Sequence, residues 1–403
     1  CSHFVFFFRL NNMEVPHDIA FEIFSWLLAK SICKFNSTCE TFSKFSQETT
    51  FKTKQTRNLL RKDDTCFFIQ PEKTRQKFEK RVELHSLPKE KQSSGVPNKV
   101  LTFLSNSVSV LASCNGLVLC RTINDDSLDL FICNSITKSR SSIPIPESLQ
   151  INDNFANINI MLDCSRSNLD DYSVFLFKET NFKEWSPTYI CNVYHGKEGA
   201  WKTMANRFFP GGRDIKFDMV VFHNKAIHVI SDSAFYFTKS KAIKDCHNMC
   251  NMSIFNWGKV TSSNSSICLV KLRDSIFTIW ILKDYKSSSW EKLLELRVEA
   301  LELKEKNPNV TGFTIMNGDL LVFATEKNVY SCGLDNEKSM KVEEICQHNC
   351  GSNTCFIAYS DTLRSCGTNA KTMSSKSDLK ILFLFLLSTI FVSYTLKSPH
   401  FHF

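Results

Sequence analysis

The sequence predicts a small all-α unit followed by a large all-β domain of propeller type. Three observations carry the prediction. Between Val15 and Phe51, apolar residues recur at three- and four-residue steps, the spacing of a helix face. From Thr65 onward they fall into short alternating or wholly apolar runs, the pattern of strands. Within that second part, a turn followed by an apolar strand recurs at intervals of about a hundred residues, as in a repeat architecture. A chain of 403 residues is too long for one compact core, and 43% hydrophobic with 22% charged residues is the composition of a folded protein.

The helical stretch opens at Pro16, which suits the first helical position because its missing N–H is not needed there. Asp18 and Glu22 place negative charge in and near the first turn, where the helix dipole favours it. Ile19, Ile23 and Leu27 form one stripe, and Phe21, Phe24 and Leu28 a neighbouring one. After a break at Ala29-Lys30-Ser31, Ile32, Phe35, Cys39, Phe42 and Phe45 make a second helical face. About forty residues with one small core cannot hide two apolar faces. Either the chain's own C-terminal domain covers the second face, or a partner does.

Val15-Pro16-x-Asp18-Ile19, Glu22-Ile23-Phe24, Leu27, Lys30-Ser31-Ile32, Phe35 and Cys39 resemble, in order and spacing, the F-box. The resemblance covers residues 13–52. It implies docking on a Skp-type adaptor, and through it on a cullin–RING ubiquitin ligase, with Pro16, Ile19, Ile23, Phe24, Leu27, Ile32 and Phe35 as the adaptor-binding residues. Leu28 stands where the family usually has proline, Glu40 where a basic residue is common, and Phe42 where tryptophan is usual.

Residues 53–64 read as a basic linker. From Lys52 to Lys91 twelve Lys and Arg face six Asp and Glu, so most of the chain's net charge of +8 lies here. Without glycine spacing, exposed aromatics or a zinc-finger pattern, a solvated basic face is expected rather than a nucleic-acid site.

The strand pattern begins at Thr65–Gln70. Runs at 108–114 and 117–120 flank Asn115-Gly116, a hairpin-turn dipeptide, and Asn317-Gly318 is a second. Further runs lie at 128–133, 172–177, 188–194, 219–222, 226–230, 267–272, 276–282, 313–316, 320–324, 328–332 and 355–359. Only Leu293 to Leu303 reads as helical. So many short strands fit a propeller, a barrel or a sandwich. The recurrence of Asn115-Gly-Leu-Val-Leu, Asn224-Lys-Ala-Ile-His-Val-Ile and Asn317-Gly-Asp-Leu-Leu-Val-Phe favours the propeller, as does that of Trp201-Lys202 and Trp290-Glu-Lys292. A non-repeating sandwich is the alternative.

Ser113-Cys-Asn-Gly-Leu117, Cys133-Asn-Ser-Ile-Thr137, Tyr189 to Tyr194 with Trp201, Phe217 to Ile230, and Phe356 to Leu363 resemble the F-box-associated, kelch-related domain of plant F-box proteins. That resemblance spans 65–366. Together the two resemblances imply a non-catalytic substrate receptor of an SCF-type E3 ligase, in the cytoplasm or nucleus, whose β domain binds an unidentified target protein. An interaction module that no longer docks on a ligase is the alternative, and an enzyme built on a propeller a further one.

No phosphate loop, nucleophile elbow or His-Glu-x-x-His motif is present, and no cofactor is expected. Cys346, His348, Cys350 and Cys355, with Cys246, His247 and Cys250, are the one zinc candidate, but their spacing fits no finger. Seventeen cysteines in a large chain with no secretory signal read as reduced thiols, mostly buried. Residues 1–12 precede Met13 and are expected to be a non-native extension. Residues 367–378 read as a polar linker, and 379–403 as a hydrophobic tail. Its uncharged core, Ile381–Leu396, falls short of the roughly twenty residues of a membrane span, leaving a tail anchor as the alternative.

Overall fold

The computed structural model describes residues 16–36, 40–59, 64–71, 82–88, 108–124, 127–146, 158–164, 171–179, 189–204, 215–223, 226–231, 235–239, 242–245, 258–262, 267–284, 289–334, 341–367 and 370–372. Between 205 and 266 the description is of the backbone. The expected extension at 1–12 and tail at 379–403 lie outside the described residues.

Four helices are described where two were expected: α1 (His17–Ser25), α2 (Ala29–Asn36), α3 (Glu40–Gln47) and α4 (Thr49–Leu59). Pro16 sits one position ahead of α1 and accepts the Ala20 N–H at 3.0 Å. Leu28 starts α2 by accepting the Ile32 N–H at 3.1 Å. The basic linker expected over 53–64 is helical through Leu59. Phe51, Gln55, Thr56 and Leu59 fall on one buried face of α4, while Arg57 faces solvent. Of the positive charge that reads as a linker, Lys54 and Arg57 lie on the outer side of that helix, and Arg61 and Lys62 lie outside the described residues.

The described strands form six antiparallel sheets. The first holds β1 (Cys66–Pro71), β2 (Glu83–Ser86) and β23 (Thr354–Tyr359). The second holds β3 (Val108–Cys114), β4 (Leu117–Asn124), β5 (Ser127–Asn134) and β6 (Ser139–Ile143), with β24 (Lys371–Thr372) at its outer edge. The third contains β7 (Ile158–Cys164), β8 (Tyr172–Glu179), β9 (Tyr189–His195) and β10 (Ala200–Thr203). The fourth contains β11 (Ile215–His223), β12 (Ala226–Ser231), β13 (Phe235–Lys239) and β14 (Ala242–Asp245). The fifth runs β15 (Gly258–Ser262), β16 (Ile267–Arg273), β17 (Ile276–Asp284) and β18 (Ser289–Arg297). The sixth runs β19 (Gly312–Met316), β20 (Leu320–Ala324), β21 (Asn328–Gly333) and β22 (Val342–Gln347).

Strands β3, β7, β11, β15, β19 and β23 lie each against the next, and β23 returns to β3. The described sheets therefore make a closed, propeller-like ring, and the sandwich alternative falls. The ring is stitched where the domain's two ends meet: β23 pairs with β1 from Cys66↔Tyr359 to Pro71↔Thr354. Apolar side chains fill the spaces between sheets. Phe68, Val110, Phe131 and Tyr359 join the first sheet to the second, and Leu119, Ile132, Val174 and Leu176 join the second to the third. Phe277, Ile279, Phe313 and Phe323 join the fifth to the sixth, and Val322 with Phe67 and Ile69 brings the sixth back to the first.

The three turn-strand repeats of the sequence fall at the β3–β4, β11–β12 and β19–β20 hairpins, so their spacing is that of two sheets. Asn115 and Gly116 both have positive φ, 46° and 81°, as a two-residue type I′ turn requires. Trp201 and Trp290 lie on β10 and β18, the outermost strands of their sheets. The helix expected over Leu293–Leu303 is absent. Leu294 and Leu296 stand opposite Ile279 and Phe277 on β18, and only Val298–Leu301 forms a 3-10 turn. Alternate burial along a strand overrides the helical propensity of Leu, Glu and Lys.

Candidate functional site

Among the described residues the exposed large apolar side chains are Ile19, Ile23, Trp26, Met204 and Leu293. Ile19 and Ile23 sit on the nine-residue helix α1 and Trp26 at its C-cap, spaced i, i+4 and i+7 in a single line along the outer face. Ile19 is 48% exposed, Ile23 44% and Trp26 49%. Glu22 lies beside this line and fixes its end. Its carboxylate accepts from the indole Nε1 of Trp26 at 3.2 Å and forms an ion pair with Lys54 of α4. The Lys54 hydrogen bond first, then the Trp26 N–H, hold the Glu22 carboxyl below its ordinary value.

The seven residues predicted as a docking set divide into three groups. Pro16, Ile19 and Ile23 are exposed. Leu27 and Phe35 are half-buried at the margin. Phe24 and Ile32, 1% and 2% exposed, belong to the core beneath and offer no surface. Trp26 and Glu22, with Lys54, complete the exposed face. Trp26 carried the missing signal, since it lies seven residues from Ile19 and three from Ile23.

Under the stripe, Phe24, Ile32, Phe45 and Phe51 cluster with two residues of the β domain, Leu363 and Ile136. Phe21 stands edge-on to Phe45 and Phe51, with ring centroids 5.4 and 5.2 Å apart. So the helical unit's two apolar faces have different fates. The chain's own β domain covers one, and the other is bare.

The sequence signatures of the β domain converge on this junction. Asn134 donates to the carbonyls of Thr362 (3.0 Å) and Arg364 (2.9 Å), and its Oδ1 accepts from the N–H groups of Ile136 and Thr137. Thr362 Oγ1 donates to the Asn115 carbonyl at 2.9 Å, and a Cβ on Gly116 would land on that same hydroxyl. Ser135 places its hydroxyl against the phenol of Tyr359, which burial pushes well above its usual pKa. Arg364, buried, donates to the Asp171 carbonyl at 2.6 Å. These motif residues are the fastening of a segment rather than a ligand site.

The zinc candidate does not assemble. His348 uses Nδ1 to accept from the Cys350 N–H at 3.1 Å and Nε2 to reach the Thr325 carbonyl at 2.8 Å, so neither ring nitrogen is open to a metal. Among the described residues no group of three His, Cys, Asp or Glu is placed to hold an ion. Cys246, His247 and Cys250 lie outside them. Burial pushes the thiols of Cys191 and Cys366 up to about 12. Among the described residues no helix is long and apolar enough to cross a membrane.

Fold and site together define a propeller-like β protein that carries an N-terminal helical unit with one bare apolar stripe. No protein-family model matches the chain. It is similar to two Arabidopsis thaliana proteins, F-box protein At5g36730 and F-box protein At5g36820, each 24% identical over 200 residues. The match takes in 47% of this chain and 47% of each relative, about half the length of the curated proteins. Among solved structures, TolB from Acinetobacter baumannii matches at a TM-score of 0.46 and 12% identity, over 73% of this chain and 66% of that one. The six-bladed β-propeller lectin of Aleuria aurantia matches at 0.37 and 11%, over 60% and 78%.

Proposed function

We propose that this chain is the substrate-recognition subunit of an SCF-type cullin–RING E3 ubiquitin ligase. The helices at 13–52 dock on a Skp-type adaptor, and the β domain at 65–366 holds the target protein. The observation that carries the reading is the exposed Ile19–Ile23–Trp26 stripe, and the similarity to the two F-box proteins supports it. Pro16, Ile19 and Ile23 meet the adaptor directly, with Trp26 extending the contact. Leu27 and Phe35 line its edge, and Phe24 and Ile32 set the helices from below.

In this reading the chain performs no chemistry. It raises the effective concentration of a target beside a ubiquitin-loaded enzyme, the contribution of a tether and not of a catalyst. Its compartment is the cytoplasm or nucleus, where such a complex would act.

The test is a pull-down of a Skp-type adaptor with the full chain and its Ile23→Asp variant. A central apolar anchor contributes on the order of 2 kcal/mol or more, so the variant loses at least thirty-fold in affinity. Because Ile23 is at the surface, the variant keeps the wild-type circular dichroism spectrum. Failure of the folded wild type to bind any Skp-type adaptor would reject the ligase reading and leave a protein-interaction module.

A further inference from the structure

The helical unit lacks a complete core of its own. Leu363 is buried among Ala20, Phe24, Ile32, Phe45 and Phe51. Its backbone N–H donates to Gln55 Oε1 at 3.0 Å. Gln55 is fully buried, and its Nε2 donates to the Leu27 carbonyl, at the turn between α1 and α2, at 3.2 Å. One amide thus holds the turn that sets the stripe-bearing helix, and the same amide depends on a residue 308 positions downstream.

The downstream segment is equally fixed from its other side. Thr362 is tied to Asn115 and Asn134, and Arg364 to Asn134 and the Asp171 carbonyl. It also leaves directly from β23, the strand whose pairing with β1 closes the ring. On the ring's other side, β23 is held to β19 by the Thr354 N–H, which donates to the Thr311 carbonyl at 3.0 Å. Residues 361–364 therefore stand between ring closure and the helical core, and touch both.

We propose that the ordered fold of α1–α4, and with it the presentation of the Ile19–Ile23–Trp26 stripe, is conditional on closure of the β ring, transmitted by Leu363 and Gln55. A chain whose last strand has not paired offers its helices neither their final core side chain nor the N–H that Gln55 accepts. Small helical units with incomplete cores do not hold a fixed structure. The stripe becomes a rigid surface only in a finished molecule. This coupling is independent of what binds the stripe; only its consequence for adaptor docking rests on the reading above.

Hydrogen exchange on the full-length protein, read by mass spectrometry, tests the coupling without any partner. Leu363→Ala removes the core side chain, and Gln55→Met keeps the volume while deleting both hydrogen bonds. Gly312→Ala acts from the ring side, because a Cβ there meets the Thr354 backbone carbonyl and parts β19 from β23. Each variant is expected to speed exchange across 17–59 at least ten-fold. In the first two, β4, β8 and β20 stay within two-fold of wild type. Helices that keep wild-type exchange in both Leu363→Ala and Gln55→Met would overturn the proposal. So would wild-type helices in Gly312→Ala when β23 itself exchanges faster. Faster helix exchange in a protein that binds no adaptor would reject the docking reading alone and leave the coupling in place.

Discussion

Asn134, at the end of β5, spends both hydrogens of its side-chain amide on the segment around Arg364, 230 residues further along the chain. Its oxygen meanwhile shapes the turn that follows it. A position that reads as an ordinary turn residue is thus the bolt that fastens the end of the β domain under the helices.

Asn134→Ala strips partners from two buried carbonyls and two turn N–H groups at once. Leaving such groups unsatisfied costs about 3 kcal/mol. The expected outcome is a fall in the denaturant midpoint with an unchanged slope, measured by circular dichroism in urea. A midpoint equal to wild type would show that water replaces all four bonds.

Gly116 and Gly199 both have positive φ, 81° and 68°, yet their surroundings differ. Nothing lies within 4 Å of a Cβ built on Gly199, whereas at Gly116 the Cβ meets Thr362. Gly199→Ala therefore carries only the left-handed backbone penalty, about 1 kcal/mol. Gly116→Ala adds a clash with the fastened segment and costs about 3 kcal/mol or more. Thermal melts of the two variants beside wild type check the order, and equal losses would contradict it.

Glu22 makes the exposed stripe sensitive to acid. Its folded-state pKa lies below the ordinary 4.5, so the link it makes is fully present above 4.5 and is lost as pH falls through the lowered folded value. Protonation weakens both the Lys54 ion pair and the hydrogen bond from the Trp26 indole. Tryptophan emission is expected to show a transition below pH 4.5 that disappears in Glu22→Gln. A transition retained in Glu22→Gln would assign it to another group.

Much of the β domain is legible because many inner and middle strands are apolar runs bounded by turns with a chemical signature. Asn115-Gly116 and Asn317-Gly318 locate two hairpins, and β4, β8, β16 and β20 follow from their side chains. The outermost strands are not legible in that way. β2, β6 (Ser-Arg-Ser-Ser-Ile), β10, β14 and β22 show no strand run, and β18 reads as a helix; further in, β7, β13 and β15 show none either. An edge strand meets solvent along much of its length, so its residues carry little of the alternation that identifies a strand.

The sequence by itself determined that the N-terminal stretch is helical, that it has more apolar surface than its own core can absorb, and that many short strands follow, in a pattern that favours a propeller over a sandwich. It left open which residues the surplus comprises. Periodicity places side chains on a common face, but which face is covered depends on what the rest of the chain brings there. Only the tertiary structure brought Leu363 and Ile136 under Phe24 and Ile32, turning two predicted contact residues into core. The same packing left Ile19 and Ile23 exposed and added Trp26 to them, because among the described residues the β domain meets the helices on the face of Phe24 and Ile32.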